Sequence, residues 1–237
     1  MLGDLGAAIE RVVRHPVELV GAGRTDAGVH GWGQVVSTDL AATTDLADLT
    51  RRLNKMCAPA IAVRDAQWAD PEFHARFSAQ WRRYRYHVWN SPTPHPHLAT
   101  TTWHVAAPLQ VWAMNLACDP LIGEHDFAAF CRRPKVDDGQ VEASLVRRIV
   151  AAHWREVDTE WGPGLLRFEI TAKSFCHQMV RSIVGTLVEV GSGRRHAGAM
   201  RSILLSGDRA VAGQVAPPHG LCLWEVGYTV EVPSTPS

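Results

Sequence analysis

The sequence predicts an α+β fold built around a mixed, largely antiparallel sheet. Segments with helical spacing and segments with strand alternation follow one another along the 237 residues, without the regular βαβ rhythm of a parallel α/β protein. With 46% hydrophobic and 20% charged residues, the composition is that of an ordinary globular protein, sufficient for one large domain or two small ones. Extensive disorder and repeat architectures are therefore excluded.

Cellular location is indicated by what the sequence lacks. No uncharged apolar run approaches the roughly 20 residues that a membrane helix needs, and residues 1–4 lack the basic segment that opens a secretory signal. The five cysteines are odd in number, lie far apart and show no C-x-x-C spacing, which indicates reduced thiols rather than a disulfide, metal or redox site. We expect a cytoplasmic protein without a membrane partner.

Helices and short strands alternate in the first part of the chain. Leu46, Leu49, Leu53 and Met56 recur at helical spacing, and Pro59 follows them as a stop signal. The predicted elements are, in order, a helix over 5–14, a strand over 17–20, a glycine-rich loop from 21, a strand over 34–38, the helix that carries these four apolar residues, and a strand over 61–68.

Residues 83–89 alternate between polar and aromatic or apolar side chains. This pattern predicts a strand with Tyr84, Tyr86 and Val88 on one face and a wet face that carries arginines.

The C-terminal part is predicted to contain the longest helix. Phe175, Met179, Ile183 and Leu187 recur every four residues, which indicates a helix over 175–190 with a buried face. The other predicted elements of this part are a helix over 109–117, paired strands over 147–158 and 165–171, a helix over 197–205 and a strand over 221–230.

The charge balance does not by itself indicate a partner. Lys+Arg and Asp+Glu both total 24, but all except three of the basic residues are arginine. Arginine binds phosphate bidentately and stacks on bases, although a GC-rich genome would explain the same bias.

A glycine-rich loop over 21–34 surrounds a single carboxylate, Asp26. No phosphate-loop or dinucleotide-binding motif is present there, so Asp26 either serves a ligand that approaches the backbone closely or caps a turn and pairs with Arg24. Arg181 lies among valines on the predicted helix and needs a carboxylate partner unless it reaches solvent.

Aromatic and basic side chains interleave around Tyr84 and Tyr86. Arg82, Arg83 and Arg85 beside these tyrosines form a pattern typical of single-stranded RNA recognition, or of an amphipathic strand whose arginines face water. Further basic clusters, each a potential phosphate contact, occur at Arg132–Arg133–Lys135, Arg147–Arg148 and Arg194–Arg195. Together these residues indicate RNA as a partner.

A family resemblance gives these residues a context. Ala22-Gly23-Arg24-Thr25-Asp26-Ala27-Gly28-Val29-His30 closely resembles the active-site motif of the TruA family of tRNA pseudouridine synthases. Four further segments are similar to the same family in the same order, at 73–79, 83–86, 123–127 and 175–185. The resemblance therefore extends over nearly the whole chain.

The resemblance implies a pseudouridine synthase fold with two ferredoxin-like-related subdomains, which share a mostly antiparallel sheet and enclose a central cleft. The N-terminal subdomain is expected over 1–80, with the catalytic aspartate loop. The C-terminal subdomain is expected over 81–237, with the tyrosine strand and the arginine helix.

Residue roles follow from the same resemblance. Asp26 matches the catalytic aspartate, Tyr84 the tyrosine that stacks on the target base, Arg181 the partner of the aspartate, and Arg24 an arginine of tRNA binding and base flipping. With Arg82, Arg83 and Arg85 as further RNA contacts, we expect a homodimer that converts uridine to pseudouridine at tRNA positions 38, 39 and 40 of the anticodon stem-loop. Neither a cofactor nor a metal is expected.

One departure from the family concerns the N-terminus. Family members begin with a strand and a Tyr-Asp-Gly…Gly-Trp-Gln segment, whereas Met1 of this chain falls at the first helix. We expect a misassigned start codon, with an impaired variant as the alternative.

Two rival functions stay open: a non-catalytic tRNA-binding or RNA-folding protein, and a small-molecule hydrolase that uses Asp26 and His30 as an acid–base pair.

Overall fold

The computed structural model describes residues 1–133 and 144–232. Its helices and strands are, in chain order, α1 (Leu2–Val13), β1 (Val20–Gly21), β2 (His30–Gly31), β3 (Val36–Ser37), α2 (Leu46–Cys57), β4 (Trp81–Asn90), β5 (Trp103–Val105), α3 (Val111–Leu116), β6 (Gly123–Asp126), β7 (Val146–Val157), β8 (Leu165–Ala172), α4 (Met179–Gly191), α5 (Ala199–Ser206) and β9 (Leu221–Gly227). No helix within the described ranges has the length and apolarity to span a membrane.

The chain forms two compact units. Unit 1 comprises Met1–Arg24 and Gln34–Ala79, and unit 2 comprises Thr25–Gly33 and Gln80–Ser237. The segment Thr25–Gly33, which we call the aspartate loop, therefore groups with the C-terminal sequence, because β2 pairs with β9. These units differ in this segment from the subdomains expected over 1–80 and 81–237, and that subdomain division stays a prediction.

Unit 1 has a small core between two helices. Leu5 and Ile9 of α1 and Leu49 and Leu53 of α2 are buried together, as side chains four residues apart on one helix face can be. Asp45 begins α2 by accepting hydrogen bonds from the amides two and three residues further on. The helix predicted from the leucine spacing is confirmed.

The strand predicted over 61–68 is wrong, since this segment contains neither helix nor strand. The Asn54 side chain on α2 bonds both backbone groups of Val63: Nδ2 donates to the carbonyl at 2.8 Å, and Oδ1 accepts from the amide at 2.6 Å. The Asn54 side chain therefore satisfies the backbone hydrogen-bonding groups of Val63, which a neighbouring strand would otherwise pair.

The described residues of unit 2 form a sheet of seven strands. Their order is β2-β9-β4-β8-β7-β6, with β5 beside the end of β4. The pairs β2·β9 and β4·β5 are parallel and the others are antiparallel. The mixed, largely antiparallel sheet is confirmed, and so is the pairing of the strands predicted over 147–158 and 165–171. The ferredoxin-like relationship stays a prediction.

A second, smaller sheet lies in unit 1. In unit 1, β1 and β3 are two residues long and pair antiparallel, Val20 with Ser37 and Gly21 with Val36. In the described part of the chain this pair is a separate two-stranded sheet. The larger sheet contains β2 from the range 1–80 and β4 to β9 from the range 81–237, so it includes strands of both expected subdomains.

Strand β4 is buried on both faces. Tyr86 is inaccessible, and Arg83 and Arg85 are only 4% and 8% exposed. The wet face predicted for this strand is wrong because the arginines pair with carboxylates: Arg83 Nη1 lies 3.1 Å from Glu225 Oε2, and Arg85 Nε lies 3.1 Å from Glu169 Oε2. Paired guanidinium groups can be buried at far lower cost than isolated ones.

Helix α4 packs in the core of unit 2. Met179 and Ile183 are fully buried and share one apolar cluster with Tyr84 and Tyr86 of β4. The predicted start at 175 is four residues early, because Gln178 adopts a left-handed φ of 62° and the helix begins after it. The core face of α4 is otherwise the one that the four-residue spacing predicts.

We predict that Gly185→Ala destabilises the protein. Gly185 is buried within α4, and a Cβ there would lie 1.7 Å from the carbonyl oxygen of Gln214. Since backbone must move to accommodate the methyl group, the free energy of unfolding should fall by roughly 1–3 kcal/mol or more. Urea denaturation measures the change.

Gly6→Ala in α1 is the matched control. The nearest atom to its new Cβ would be Leu19 Cβ at 3.9 Å, an ordinary contact. The usual helix preference for alanine should therefore stabilise the protein by about 0.5–1 kcal/mol. If the two substitutions changed the free energy of unfolding equally, the close approach of the Gln214 carbonyl to Gly185 would be contradicted.

Candidate active site

The aspartate loop is held against the C-terminal part of unit 2. Strand β2 pairs parallel with β9, and the Val29 amide donates to the Asp26 carbonyl at 3.1 Å. Gly28 has a φ of +82°, and a Cβ there would lie 3.1 Å from Pro218 Cγ. Glycine is needed at 28 both for its backbone conformation and for its space.

Arg181 has the carboxylate partner that the sequence called for. Its Nη1 donates to Asp26 Oδ2 at 2.7 Å, and its Nε donates to the Ala216 carbonyl at 2.7 Å. The side chains of Arg181 and Asp26 are 14% and 20% exposed, so the ion pair is largely shielded from water. The catalytic roles expected for both residues stay predictions.

His177 is a member of this cluster that the sequence reasoning missed. Its Nε2 lies 3.1 Å from Asp26 Oδ1, so the two carboxylate oxygens have different partners. His177 and Arg181 are four residues apart, the spacing of one helix face, which was the available signal. The histidine nevertheless precedes α4, since the helix begins only at Met179.

Tyr84 lies on β4 and is 7% exposed. Its ring meets Phe175 edge to face, with the centroids 5.1 Å apart. Burial raises the pKa of the Tyr84 phenol to about 12; Arg82 opposes the shift, and the negative charge of Asp26 adds to it. The phenol is therefore protonated near neutral pH.

Tyr86 has a structural role. Its hydroxyl donates to the Pro217 carbonyl at 2.8 Å, and burial raises its pKa. A Cβ on Gly220 would lie 2.6 Å from the Tyr86 ring, so the tyrosine fills the space beside that glycine.

The arginines around Tyr84 have partners within the protein. Arg82 Nη1 donates to the Lys173 carbonyl at 2.5 Å, and Arg85 lies over the Trp224 ring at 3.8 Å in addition to its ion pair. Arg24 is exposed in unit 1. The RNA contacts expected of Arg24, Arg82, Arg83 and Arg85 stay predictions.

His30 does not form the acid–base pair considered for a hydrolase. Its Nε2 lies 2.9 Å from the Thr100 carbonyl, whereas the Asp26 carboxylate contacts Arg181 and His177. Across the two described ranges, no three His, Cys, Asp or Glu side chains are grouped so that they could hold a metal ion.

Comparisons with known proteins identify the family. The family described as tRNA pseudouridine synthase matches residues 117–229, a range that includes Arg181. The tRNA pseudouridine synthase A of Brevibacillus brevis is 38% identical over 228 residues, covering 95% of this chain and 88% of that protein. Those of Frankia casuarinae and Cutibacterium acnes are 40% and 39% identical, covering 99% and 95% of this chain and 88% and 79% of the respective proteins.

Similarity of this extent, over most of the chain, places the protein among the tRNA pseudouridine synthases. The chain belongs to the tRNA pseudouridine synthase A family.

We predict that Tyr84 ionises about two pH units above an ordinary tyrosine. The ultraviolet phenolate absorbance of the protein minus that of Tyr84→Phe should titrate near pH 12 rather than near 10. Because the pKa of Tyr84 is higher in the folded protein than in the unfolded chain, the tyrosine ionises in the unfolded chain at a lower pH. The free energy of unfolding should therefore decrease as pH rises from 10 towards 12. This loss should be smaller in Tyr84→Phe, and a difference titration near pH 10 would contradict burial of the phenol.

Proposed function

We propose that this chain isomerises uridine to pseudouridine in tRNA, at positions 38, 39 and 40 of the anticodon stem-loop, with Asp26 as the catalytic carboxylate. The observation that carries the proposal is the shielded Asp26–Arg181 ion pair in a member of this family. The Arg181 guanidinium donates to the carboxylate and holds it in position. A homodimer in the cytoplasm is part of the proposal, on the family resemblance alone.

The reaction requires a carboxylate but no external reactant. The C1′–N1 bond of uridine breaks, the uracil rotates, and C1′ bonds to C5; the C5 proton is then lost and N1 gains one. Asp26 can begin this sequence by attacking C1′ or C6, or by removing the 2′ proton on the way to a glycal. All three routes need the same ionised oxygen.

Tyr84 is proposed to hold the uracil while it is detached from the sugar. A base stacked in an RNA stem or loop must first be extruded to reach a buried carboxylate. The aromatic ring then offers a flat apolar surface for the base. Since the phenol is protonated near neutral pH, we assign it this stacking role rather than that of a phenolate base.

The product differs from uridine in a way that stiffens RNA. Pseudouridine has an N1–H donor that uridine lacks, and this donor can hold a bridging water. We propose that modification of the anticodon arm by this chain rigidifies it.

We predict that Asp26→Asn abolishes turnover and leaves tRNA binding nearly intact. Asparagine keeps the size of the side chain but removes the charge, whereas binding depends mainly on phosphate contacts. Tritium release from tRNA labelled at uridine C5 should fall by at least about a thousandfold. Filter binding of the same tRNA measures affinity.

Asp39→Asn is the control for loss of a carboxylate, because Asp39 is exposed in unit 1. It should keep both binding and turnover. Parallel loss of binding and turnover in Asp26→Asn would contradict the catalytic assignment. Binding without tritium release by the unaltered chain would instead favour a non-catalytic tRNA-binding protein.

We further predict that Tyr84→Ala reduces tritium release more than Tyr84→Phe. Phenylalanine keeps the ring and its contact with Phe175, while alanine removes the stacking surface and leaves a cavity. Single-turnover assays with saturating enzyme separate this effect from weaker binding. Full tritium release by Tyr84→Ala would contradict the stacking role.

A further inference from the structure

A surface pocket of about 700 Å³ lies outside the aspartate cluster in unit 2. Arg132, Arg133 and Arg209 are among its lining residues, together with Gln178 and Asp208. Arg132 and Arg133 belong to a basic cluster seen in the sequence; its third member, Lys135, lies outside the described residues. Among the described residues that line the pocket, three side chains are arginine and one is a carboxylate.

The single carboxylate is already used within the protein. Asp208 Oδ1 accepts the Ala210 amide at 2.8 Å and so begins the short turn that carries Arg209. The aspartate therefore shapes the turn that carries Arg209.

Arg209 carries an unsatisfied donor. Its Nη2 donates to Gln178 Oε1 at 2.6 Å, but its Nη1 is buried and has no hydrogen-bond partner within residues 1–133 and 144–232. A buried guanidinium nitrogen without an acceptor is costly, and an anion in the pocket would remove that cost.

The pocket adjoins the aspartate cluster through one stretch of backbone. The Arg132 amide donates to the His177 carbonyl at 2.9 Å, and the His177 ring lies 3.1 Å from Asp26. Gln178, the next residue, belongs to the pocket. An anion bound here would therefore lie beside the residues that hold Asp26.

We propose that this pocket binds a phosphodiester of the RNA backbone close to the target nucleotide. This inference rests on the proposed function, which supplies an RNA whose base enters the neighbouring site. Guanidinium groups suit phosphate oxygens because they can donate two parallel hydrogen bonds. Such a contact holds the strand in register while the base is recognised elsewhere.

The test measures binding of unmodified tRNA at several salt concentrations to the protein and to Arg132→Gln/Arg209→Gln. The variant should bind roughly tenfold more weakly, the effect of losing charged hydrogen bonds. Its slope of log affinity against log salt should be smaller by about one, as for one lost phosphate contact. A second measurement uses anticodon stem-loops in which one phosphate at a time is replaced by a neutral methylphosphonate. At one position the replacement should lower the affinity of the unaltered protein, whereas the affinity of the double variant should not fall any further.

Arg201→Gln is the matched control, an exposed arginine of α5 outside the pocket. The proposal would be overturned if Arg201→Gln lost as much tRNA affinity as the double variant, or if the double variant kept both its affinity and its salt slope. It would also be overturned if each methylphosphonate lowered the affinity of the double variant as much as that of the unaltered protein. A further contrary result would be that the unaltered protein binds inorganic phosphate in calorimetry and the double variant does not, although both bind tRNA with the same affinity. If Arg209→Gln impairs folding, Arg132→Gln alone should show the same pattern, because that side chain is exposed.

Binding does not require turnover, so the two proposals fail separately. Absence of tritium release from the unaltered chain would overturn the isomerase activity. The salt slope and the methylphosphonate pattern would still decide whether the pocket takes an RNA phosphate.

Discussion

The ion pair between Asp26 and Arg181 is the constraint on which the candidate site depends. It joins residues 155 positions apart, and the guanidinium is also tied to the Ala216 carbonyl. The Ala216 amide donates back to the Arg181 carbonyl at 3.1 Å, so α4 and the segment before β9 are linked by both backbone and side chain. Removing the Asp26 charge would leave the shielded Arg181 guanidinium with a carbonyl but no carboxylate partner, which is more costly than losing a surface ion pair.

The buried arginines of β4 form a second ionic system on the sheet. Glu169 is 2% exposed and receives Arg85 on one oxygen, at 3.1 Å, and Arg155 on the other, at 3.4 Å. Arg85 also lies over Trp224, which stacks on Trp32 at 5.5 Å. These contacts give the arginines a role in holding neighbouring strands together, whether or not they also contact RNA.

The sequence was most informative where apolar periodicity determines the structure. Met179 and Ile183 predicted the buried face of α4, and Tyr86 predicted the core face of β4. The sequence was uninformative where one polar side chain changes the local structure. Asn54 bonds Val63 in place of a strand partner, and carboxylates on the two strands that flank β4 pair with arginines that were expected to face water. The position of His177 depends on the left-handed Gln178, and no periodicity reveals such a residue.

Translation order has a consequence for the aspartate loop. The Trp32 amide at the end of this loop donates to the sulfur of Cys222, 190 residues later, and Pro218 packs against Gly28. At synthesis rates of roughly 5–20 residues per second, the loop is synthesised about 10–40 seconds before β9. The nascent chain therefore carries its carboxylate without the guanidinium and strand that fix it, and the site forms only when the C-terminal strand is added.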